Sequence, residues 1–331
     1  MYKKLSRTLI IFISCLFVYG CSFNSAQQRP TWIDNASQDY AAQDYLTAVG
    51  QSDKRDRATQ NAIANLAEIF LVNVNAQTNT LTEATKQQSA LGVSMESSTE
   101  LRRSIQTETD QVISGVEIKE TWLSPEGEYY ALAVLNKRKA ALSLSESIMD
   151  LDQATLKLVE FSRQGATNEL ASLNALRKAR DLQLTRSMAN LQLKQVGVSG
   201  IESDFSNSKL EQLIVEKLAA IKISVQLDHD GHKRSIQGGL AQLGITVVEY
   251  ADLQINADID VTEPTLLDGW YWVRGSYTLS IADKGVMLSH KRWPVKVSAK
   301  QKELLIPRLE DNINRQLSNY LIELLSDSPS L

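Results

Sequence analysis

The sequence has few cysteines, histidines, prolines and aromatic residues, and it has no excess of positive charge. Its 331 residues include two Cys, three His and six Pro, and aromatic residues make up 6%. The formal net charge is −4, which argues against general nucleic-acid binding because that function needs a basic footprint. After the N-terminal segment, no apolar run approaches the roughly 20 residues that a transmembrane helix requires. The composition therefore predicts ordered domains, no nucleic-acid partner and no cofactor held by thiols.

The N-terminus is the most informative segment. Basic residues between Lys3 and Arg7 precede an apolar run over Leu9–Val18, and Cys21 directly follows a Gly. This order is typical of a secretory signal peptide. A small residue followed at once by Cys resembles the bacterial lipobox, in which the thiol is acylated and the signal is cut before that Cys. The alternatives are an ordinary signal peptide with a chance Cys, or processing at Cys15.

The lipobox resemblance implies a location and a fate for each cysteine. Residues 1–20 leave as the signal peptide, and residues 21–29 become a lipidated tether that holds the protein to a membrane. Ser22 stands where an Asp would retain a lipoprotein in the inner membrane, which implies the periplasmic face of the outer membrane. Cys15 is removed and Cys21 is acylated, so the mature chain has no thiol for a disulfide, a metal site or catalysis.

The first predicted domain covers residues 30–145. Tyr45–Ser52 reads as a short strand, and a helix with an Ala-rich face follows it. Val112–Trp122 and Tyr129–Leu135 are predicted to pair as a hairpin, because Pro and Gly lie between them. A strand is also predicted near residues 71–74, whereas the polar stretch 78–109 has no clear periodicity.

Several short motifs of this domain resemble the LPP-20 lipoprotein family. They are Pro30-x-Trp32-Ile33, the segment Tyr45-x5-Gln51 with Val49-Gly50 inside it, and the Ala-rich helix before Leu71-Val72-x-Val74. The domain type is also similar to the amino-terminal domain of the flagellar H-ring assembly protein. The resemblance covers Pro30 to Leu144 and implies a binding or scaffolding module of the cell envelope, with no catalytic residue. Trp32 is expected to cover the core, and Gly50 to allow a strand-to-helix turn.

Two helices are predicted between the domains, over residues 140–163 and 167–194, with a hinge near Gly165. They form a helical connector over residues 146–196. We expect the helices to pack on their own chain as a hairpin, since the apolar spacing does not sustain heptads for a coiled coil.

The second predicted domain covers residues 205–326. It shows a strand at Ile221–Leu227, a helix before Gly244, a wide hairpin from Trp270 to Val297 and a long amphipathic helix over Ala299–Leu325. The order of elements is similar to periplasmic domains of the TolB amino-terminal type, which implies protein docking. The predicted fold class of the whole chain is α+β, with two small α/β-layer domains joined by a helical hairpin.

Metal and nucleophilic catalysis find little support in the sequence. His229 and His232, with Asp228 and Asp230, are the only cluster of metal-ligand types, and they could hold Zn with one open position. Asp and Gly favour a solvated turn there instead. No nucleophile elbow, phosphate loop or zinc-protease motif is present. The sequence therefore predicts no enzyme activity, no metal and no cofactor.

An aromatic and basic group in the wide hairpin is the best candidate binding surface. Trp270 and Trp272 share one face of a predicted strand, Arg274 follows them closely, and Trp293 returns on the neighbouring strand. Tryptophan and Arg are enriched in binding surfaces, and paired Trp can stack on sugar rings. The alternative is that these tryptophans are buried in the core under the last helix.

The sequence as a whole predicts a non-enzymatic outer-membrane lipoprotein that binds or scaffolds other envelope components. The predicted partners are the membrane, through the lipid anchor, and an envelope protein. Two alternatives remain open: a module that binds peptidoglycan or another carbohydrate, and an accessory factor of a flagellar machine or a peptidoglycan synthase. A metal-dependent enzyme using His229 and His232 is a third, less favoured interpretation.

Overall fold

The structure is a computed structural model that describes residues 28–68, 115–227 and 230–326. The chain folds into two compact units. In the described part, the first unit comprises residues 28–68 and 116–136, and the elements of the second unit begin at residue 137. The lipidation site Cys21 and the predicted strand near residues 71–74 lie outside the described residues.

Over the residues that the structure describes, the first unit is a three-stranded antiparallel sheet with a helix and two short 3₁₀ turns. The strands have the order β1-β3-β2. The elements, in chain order, are the 3₁₀ turns Thr31–Ile33 and Ala36–Gln38, β1 (Tyr45–Ser52), α1 (residues 55–68), β2 (Val116–Leu123) and β3 (Tyr129–Asn136). The predicted strand at 45–52 and the predicted hairpin are therefore present, with a turn at Gly127, whose φ is +91°.

Small residues let α1 lie close against one face of this sheet. Ala58 and Ala62 of the helix are buried, and a Cβ on Gly50 would overlap backbone atoms of both residues. Gly50 lies within β1, so the expectation of a strand-to-helix turn was wrong. It is a close approach of helix to strand, which only a residue without a side chain permits.

The other face of the sheet is covered by the N-terminal turns. Trp32 is 6% exposed and packs in a cluster with Trp122, Leu132 and Val134. The indole rings thus fill the space between the turns and the sheet, which stabilises the unit by burying large apolar surface. The expected role of Trp32 as a cover of the core is confirmed.

In its described residues, the second unit combines five helices with a six-stranded mixed sheet. Its elements are α2 (Lys137–Glu160), a π turn (Phe161–Gly165), α3 (Glu169–Gln195), α4 (Asn207–Ala220), β4 (Lys222–Gln226), α5 (Asp230–Gln242), β5 (Thr246–Val247), β6 (Leu253–Val261), β7 (Thr265–Leu267), β8 (Trp270–Asp283), β9 (Val286–Ala299), a 3₁₀ turn (Lys302–Leu304) and α6 (Leu305–Ser326).

The sheet of the second unit has a parallel half and an antiparallel half. β4 pairs in parallel with β5 and β6, as a βαβ crossover through α5 allows. β8 is antiparallel to β6, β7 and β9. α6 packs against β8, β9 and α5, and its buried stripe repeats every four residues through Leu309, Ile313, Leu317 and Leu321. Helices and strands occur in both units, so the predicted α+β class is confirmed.

The two helices predicted as a connector are part of the second unit. α2 and α3 form an antiparallel pair, because Gln183 bonds to Thr155 while Ser172 bonds to Ser162. Apolar residues at the start of α3, such as Leu170 and Leu173, join the same core as the sheet. The sequence located both helices but did not show that the second one packs into this core.

Buried arginines on α3 tie the helices of this unit together. The Nε and Nη2 atoms of Arg186 each donate a hydrogen bond of 3.1 Å to the carboxylate of Asp152 on α2. Arg180 donates a hydrogen bond of 3.3 Å to Glu211 of α4. Charged side chains are buried only when they are paired or hydrogen-bonded.

Among the described residues, no helix has both the length and the apolar character needed to cross a membrane.

Candidate binding surface

The alternation of β8 divides its aromatic residues between two faces. Val273 and Tyr277 are buried under the helices, whereas Trp270 and Arg274 are exposed on the opposite face. Trp272 lies between the latter two on the same face, half-buried. Successive side chains of a strand point to opposite faces, so the predicted grouping of Trp270, Trp272 and Arg274 is present.

Lysine side chains from β9 and the residue after it lie over the two indole rings. The Nζ atom of Lys296 is 4.7 Å from the ring centroid of Trp272, and the Nζ atom of Lys300 is 5.5 Å from that of Trp270. Lys296 is also the cross-strand neighbour of Arg274. We call these five residues (Trp270, Trp272, Arg274, Lys296 and Lys300) the aromatic–basic surface. It offers apolar ring area together with three positive charges.

A tight turn extends this surface with one exposed leucine. β7 and β8 are joined by Asp268 and Gly269, which both have positive φ, 52° and 78°. Such a two-residue turn matches the twist of an antiparallel hairpin. Leu267 before the turn pairs with Trp270 and is 58% exposed, whereas Leu266 pairs with Tyr271 on the other face. β7 was not predicted from the sequence, although Asp-Gly between apolar residues is a known hairpin pattern.

Trp293 does not belong to the aromatic–basic surface. It lies opposite Tyr277 on the face that the helices cover, and its ring stacks on Tyr320 of α6 with centroids 4.2 Å apart. Its Nε1 atom donates a hydrogen bond to Glu323 at 2.8 Å. Trp293 is therefore not grouped with Trp270 and Trp272 as the sequence predicted, and it instead packs α6 on the sheet.

A bulge in the β8–β9 hairpin explains this difference. Near the turn, Asp283 pairs with Val286, and continuing that register would bring Trp293 opposite Ser276, on the face of Trp272. The register shifts by one residue between Ile281 and Ala282. A one-residue shift moves every later side chain to the other face.

His232 lies in a helix, whereas the sequence predicted a solvated turn there. It is in the first turn of α5, 7% exposed, with Nε2 2.9 Å from the hydroxyl of Tyr277. Burial raises the pKa of Tyr277, so its hydroxyl stays protonated. His229 lies outside the described residues. Within the described ranges, no group of three or more His, Cys, Asp or Glu is arranged to hold a metal ion.

A polar cleft of about 660 Å³ lies elsewhere in the second unit. The π turn, the start of α3 and the β8–β9 turn line it. Four of its seven charged lining residues form ion pairs: Lys217 with Glu169 at 3.0 Å, and Lys284 with Asp252 at 3.7 Å. Because these charges compensate each other locally, the cleft offers a ligand less electrostatic attraction than the aromatic–basic surface does.

Comparisons with known proteins concern fold and family. No curated protein matches the chain. A minor lipoprotein from Acinetobacter baumannii is similar at 16% identity over 31% of this chain and 90% of its own, with a TM-score of 0.27. A secreted protein from Helicobacter pylori is similar at 16% identity over 83% of this chain and 97% of its own, with a TM-score of 0.40. Residues 30–136, which end where the first unit ends, match the family model of the LPP20 lipoproteins.

Proposed function

We propose that the protein is a non-enzymatic lipoprotein of the outer membrane, anchored through Cys21 on the periplasmic face, that holds another envelope protein at its aromatic–basic surface. The observation that carries the binding role is the position of Trp270, Trp272 and Arg274 on an exposed strand face, beside two lysines. The LPP20 match over residues 30–136 supports the lipoprotein assignment. The basic and apolar order of the N-terminal segment supports the anchor.

The chemistry of the surface favours an acidic protein partner. Lys296 and Lys300 lie over the two indole rings, Arg274 lies on the same strand face, and Leu267 adds exposed apolar area beside Trp270. Tryptophan and Arg carry much of the binding energy in protein interfaces, and complementary charge guides the encounter. The partner would therefore present carboxylates around a small apolar patch.

Peptidoglycan is the second candidate, since Trp270 and Trp272 lie two residues apart on one strand face and could stack on successive sugars. The lysines weigh against it, because a sugar stacks on an open ring face and Lys296 and Lys300 each lie over one ring. Co-sedimentation of the full chain with purified peptidoglycan separates the two candidates. Pull-down that is lost in a Trp270→Ala, Trp272→Ala variant would replace the protein partner with the carbohydrate.

The anchor is tested by labelling cells with an alkyne fatty acid. Wild type and Cys15→Ser should incorporate the label and stay in the membrane fraction after a high-salt wash. Cys21→Ser should do neither. Label retained by Cys21→Ser would show that the lipid is not attached at Cys21.

The partner is tested by photo-crosslinking in intact cells. A benzophenone amino acid at position 270 should give a discrete adduct with an envelope protein, identified by mass spectrometry. Tyr250 is 81% exposed and is aromatic, so the same probe at position 250 is the matched control. The proposal predicts an adduct from position 270 that is absent from position 250 and lost when Arg274→Glu is added. The same adduct from both positions would show collision and not binding.

A further inference from the structure

Helix α2 carries apolar residues on two separate sides. One side is buried and includes Ala140, Leu144, Ile148 and Val159, and the helix packs against α3. The other side carries Leu142, Met149 and Leu156, which are 68%, 61% and 43% exposed. Single exposed apolar residues are ordinary, but these three recur every seven residues and therefore lie on one line along the helix.

Seven residues share this line when the helix is drawn with 3.6 residues per turn. We call them the α2 outer stripe: Arg138, Leu142, Ser145, Met149, Gln153, Leu156 and Glu160. Arg138, Gln153 and Glu160 are exposed like the three apolar residues, and Ser145 is half-buried. The stripe is thus an apolar line with one charge of each sign at its ends.

The stripe is symmetric about Met149. Residues occur 4, 7 and 11 positions before it and after it, so the spacing is the same in both directions. Leu142 and Leu156 are the matching apolar pair, and Ser145 and Gln153 are the matching polar pair. At the two ends, Arg138 corresponds to Glu160, which is a match of opposite charge. Such a line fits a second copy of itself that runs in the opposite direction.

We propose that two copies of this protein associate through an antiparallel pairing of their α2 helices, with a two-fold axis at Met149. In this arrangement, Leu142 of one copy lies against the partner's Leu156, and Met149 packs on the partner's Met149. Arg138 lies beside the partner's Glu160 at each end. A two-fold interface uses the same patch on both copies, and the α2 outer stripe meets that requirement at all seven positions.

The charges of the helix ends favour this direction over a parallel one. α2 begins with Lys137, Arg138 and Lys139, and positive charge at a helix N-terminus is unfavourable in isolation. An antiparallel partner places its negative C-terminal end and its Glu160 beside these residues. A parallel pair would bring the two basic ends together and also the two Glu160 side chains.

Engineered cysteines report this geometry directly in the full chain. All variants keep Cys15 and Cys21, so the wild-type chain measures what those two thiols contribute. Met149→Cys should give a disulfide-linked dimer on mild oxidation, because the two copies of residue 149 meet at the axis. Ser143→Cys is the matched control, since it is exposed on the same helix outside the stripe, and it should link no more than wild type.

Direction is tested with the two leucines. In an antiparallel pair, the two copies of residue 142 are 14 residues apart along the helices, or about 21 Å at 1.5 Å per residue. Leu142→Cys alone should therefore not link, whereas a mixture of differently tagged Leu142→Cys and Leu156→Cys chains should form mixed dimers. Self-linking of Leu142→Cys, or equal linking at Ser143→Cys and Met149→Cys, would overturn the proposal.

A charge exchange gives a second readout that uses no cysteine. Sedimentation equilibrium of the detergent-solubilised wild-type chain should show a concentration-dependent dimer. Arg138→Glu should weaken it by about tenfold, because two exposed ion pairs become repulsive contacts. Adding Glu160→Arg to that variant should restore the wild-type dissociation constant. A wild-type chain that stays monomeric at every concentration, or a double variant that is not restored, would overturn the pairing.

Discussion

The ring of Trp293 stacks on Tyr320, with centroids 4.2 Å apart and planes 26° from parallel. This contact joins the last strand of the large sheet to the helix that follows it, and Glu323 on the same helix accepts a hydrogen bond from the indole. Trp270 lies on the opposite face of the sheet beside Lys300, so it does not join the sheet to α6. Trp293 therefore packs a helix on the sheet, whereas Trp270 belongs to the aromatic–basic surface.

Trp293→Ala should lower the free energy of unfolding by about 3 kcal/mol, because it removes a large packed ring and leaves a cavity under α6. Trp270→Ala should change it by less than about 1 kcal/mol, since the residue is 37% exposed and borders solvent. Urea unfolding of both variants measures the difference. Equal losses would contradict the assignment of the two rings to different faces.

Gly50→Ala should destabilise the first unit by about 3 kcal/mol or more. The added methyl group would overlap backbone atoms of Ala58 and Ala62, so strand and helix would have to separate. Gly238→Ala in α5 is the control, because no atom lies within 4 Å of its Cβ position and Ala favours a helix. Thermal unfolding should show the first variant lowered and the second unchanged or raised.

Two buried arginines on α3 should respond in opposite ways to replacement by Met. Burial, with Arg180 nearby, lowers the pKa of Arg177 to about 10. The unfolded chain therefore binds the proton more tightly than the folded one, and the charge lowers stability at every pH below about 10. Arg177→Met should keep or raise the free energy of unfolding, by up to about 2 kcal/mol, and the difference should be constant from about pH 6 to 9.

Arg180→Met should instead cost about 3 kcal/mol, because Glu211 would keep a buried carboxylate without its cation. Chemical unfolding of both variants at neutral pH tests the contrast. A loss from Arg177→Met as large as that from Arg180→Met would show that the guanidinium of Arg177 stabilises the fold through its hydrogen bond to Ser326.

Local patterns in the sequence predicted the elements whose signals are contained within a few residues. The hairpin around Gly127, the two helices on either side of Gly165 and the apolar stripe of α6 all follow from turn residues or from a 3.6-residue period. The same alternation correctly placed Trp270 and Trp272 on one strand face. These features depend on neighbours in the chain, which a sequence displays directly.

Features set by contacts between distant segments could not be predicted in this way. The bulge at Ile281 decides which face Trp293 occupies, and it leaves no pattern in the sequence. The Asp and Gly neighbours of His232 predicted a turn, but a helix already begins at Asp230. In that helix, His232 bonds to Tyr277, which is 45 residues away in the chain. Which side of α2 stays exposed depends likewise on where α3 packs.

The most direct test of the binding role is the affinity of the full chain for the envelope protein captured from position 270. Calorimetry should give at least a tenfold weaker dissociation constant for Trp270→Ala, Trp272→Ala than for wild type, which corresponds to a loss of about 1.4 kcal/mol. The affinity should also fall as salt is raised, because Arg274, Lys296 and Lys300 face an acidic partner. An affinity unchanged by the double substitution, in a variant that unfolds like wild type, would contradict the account.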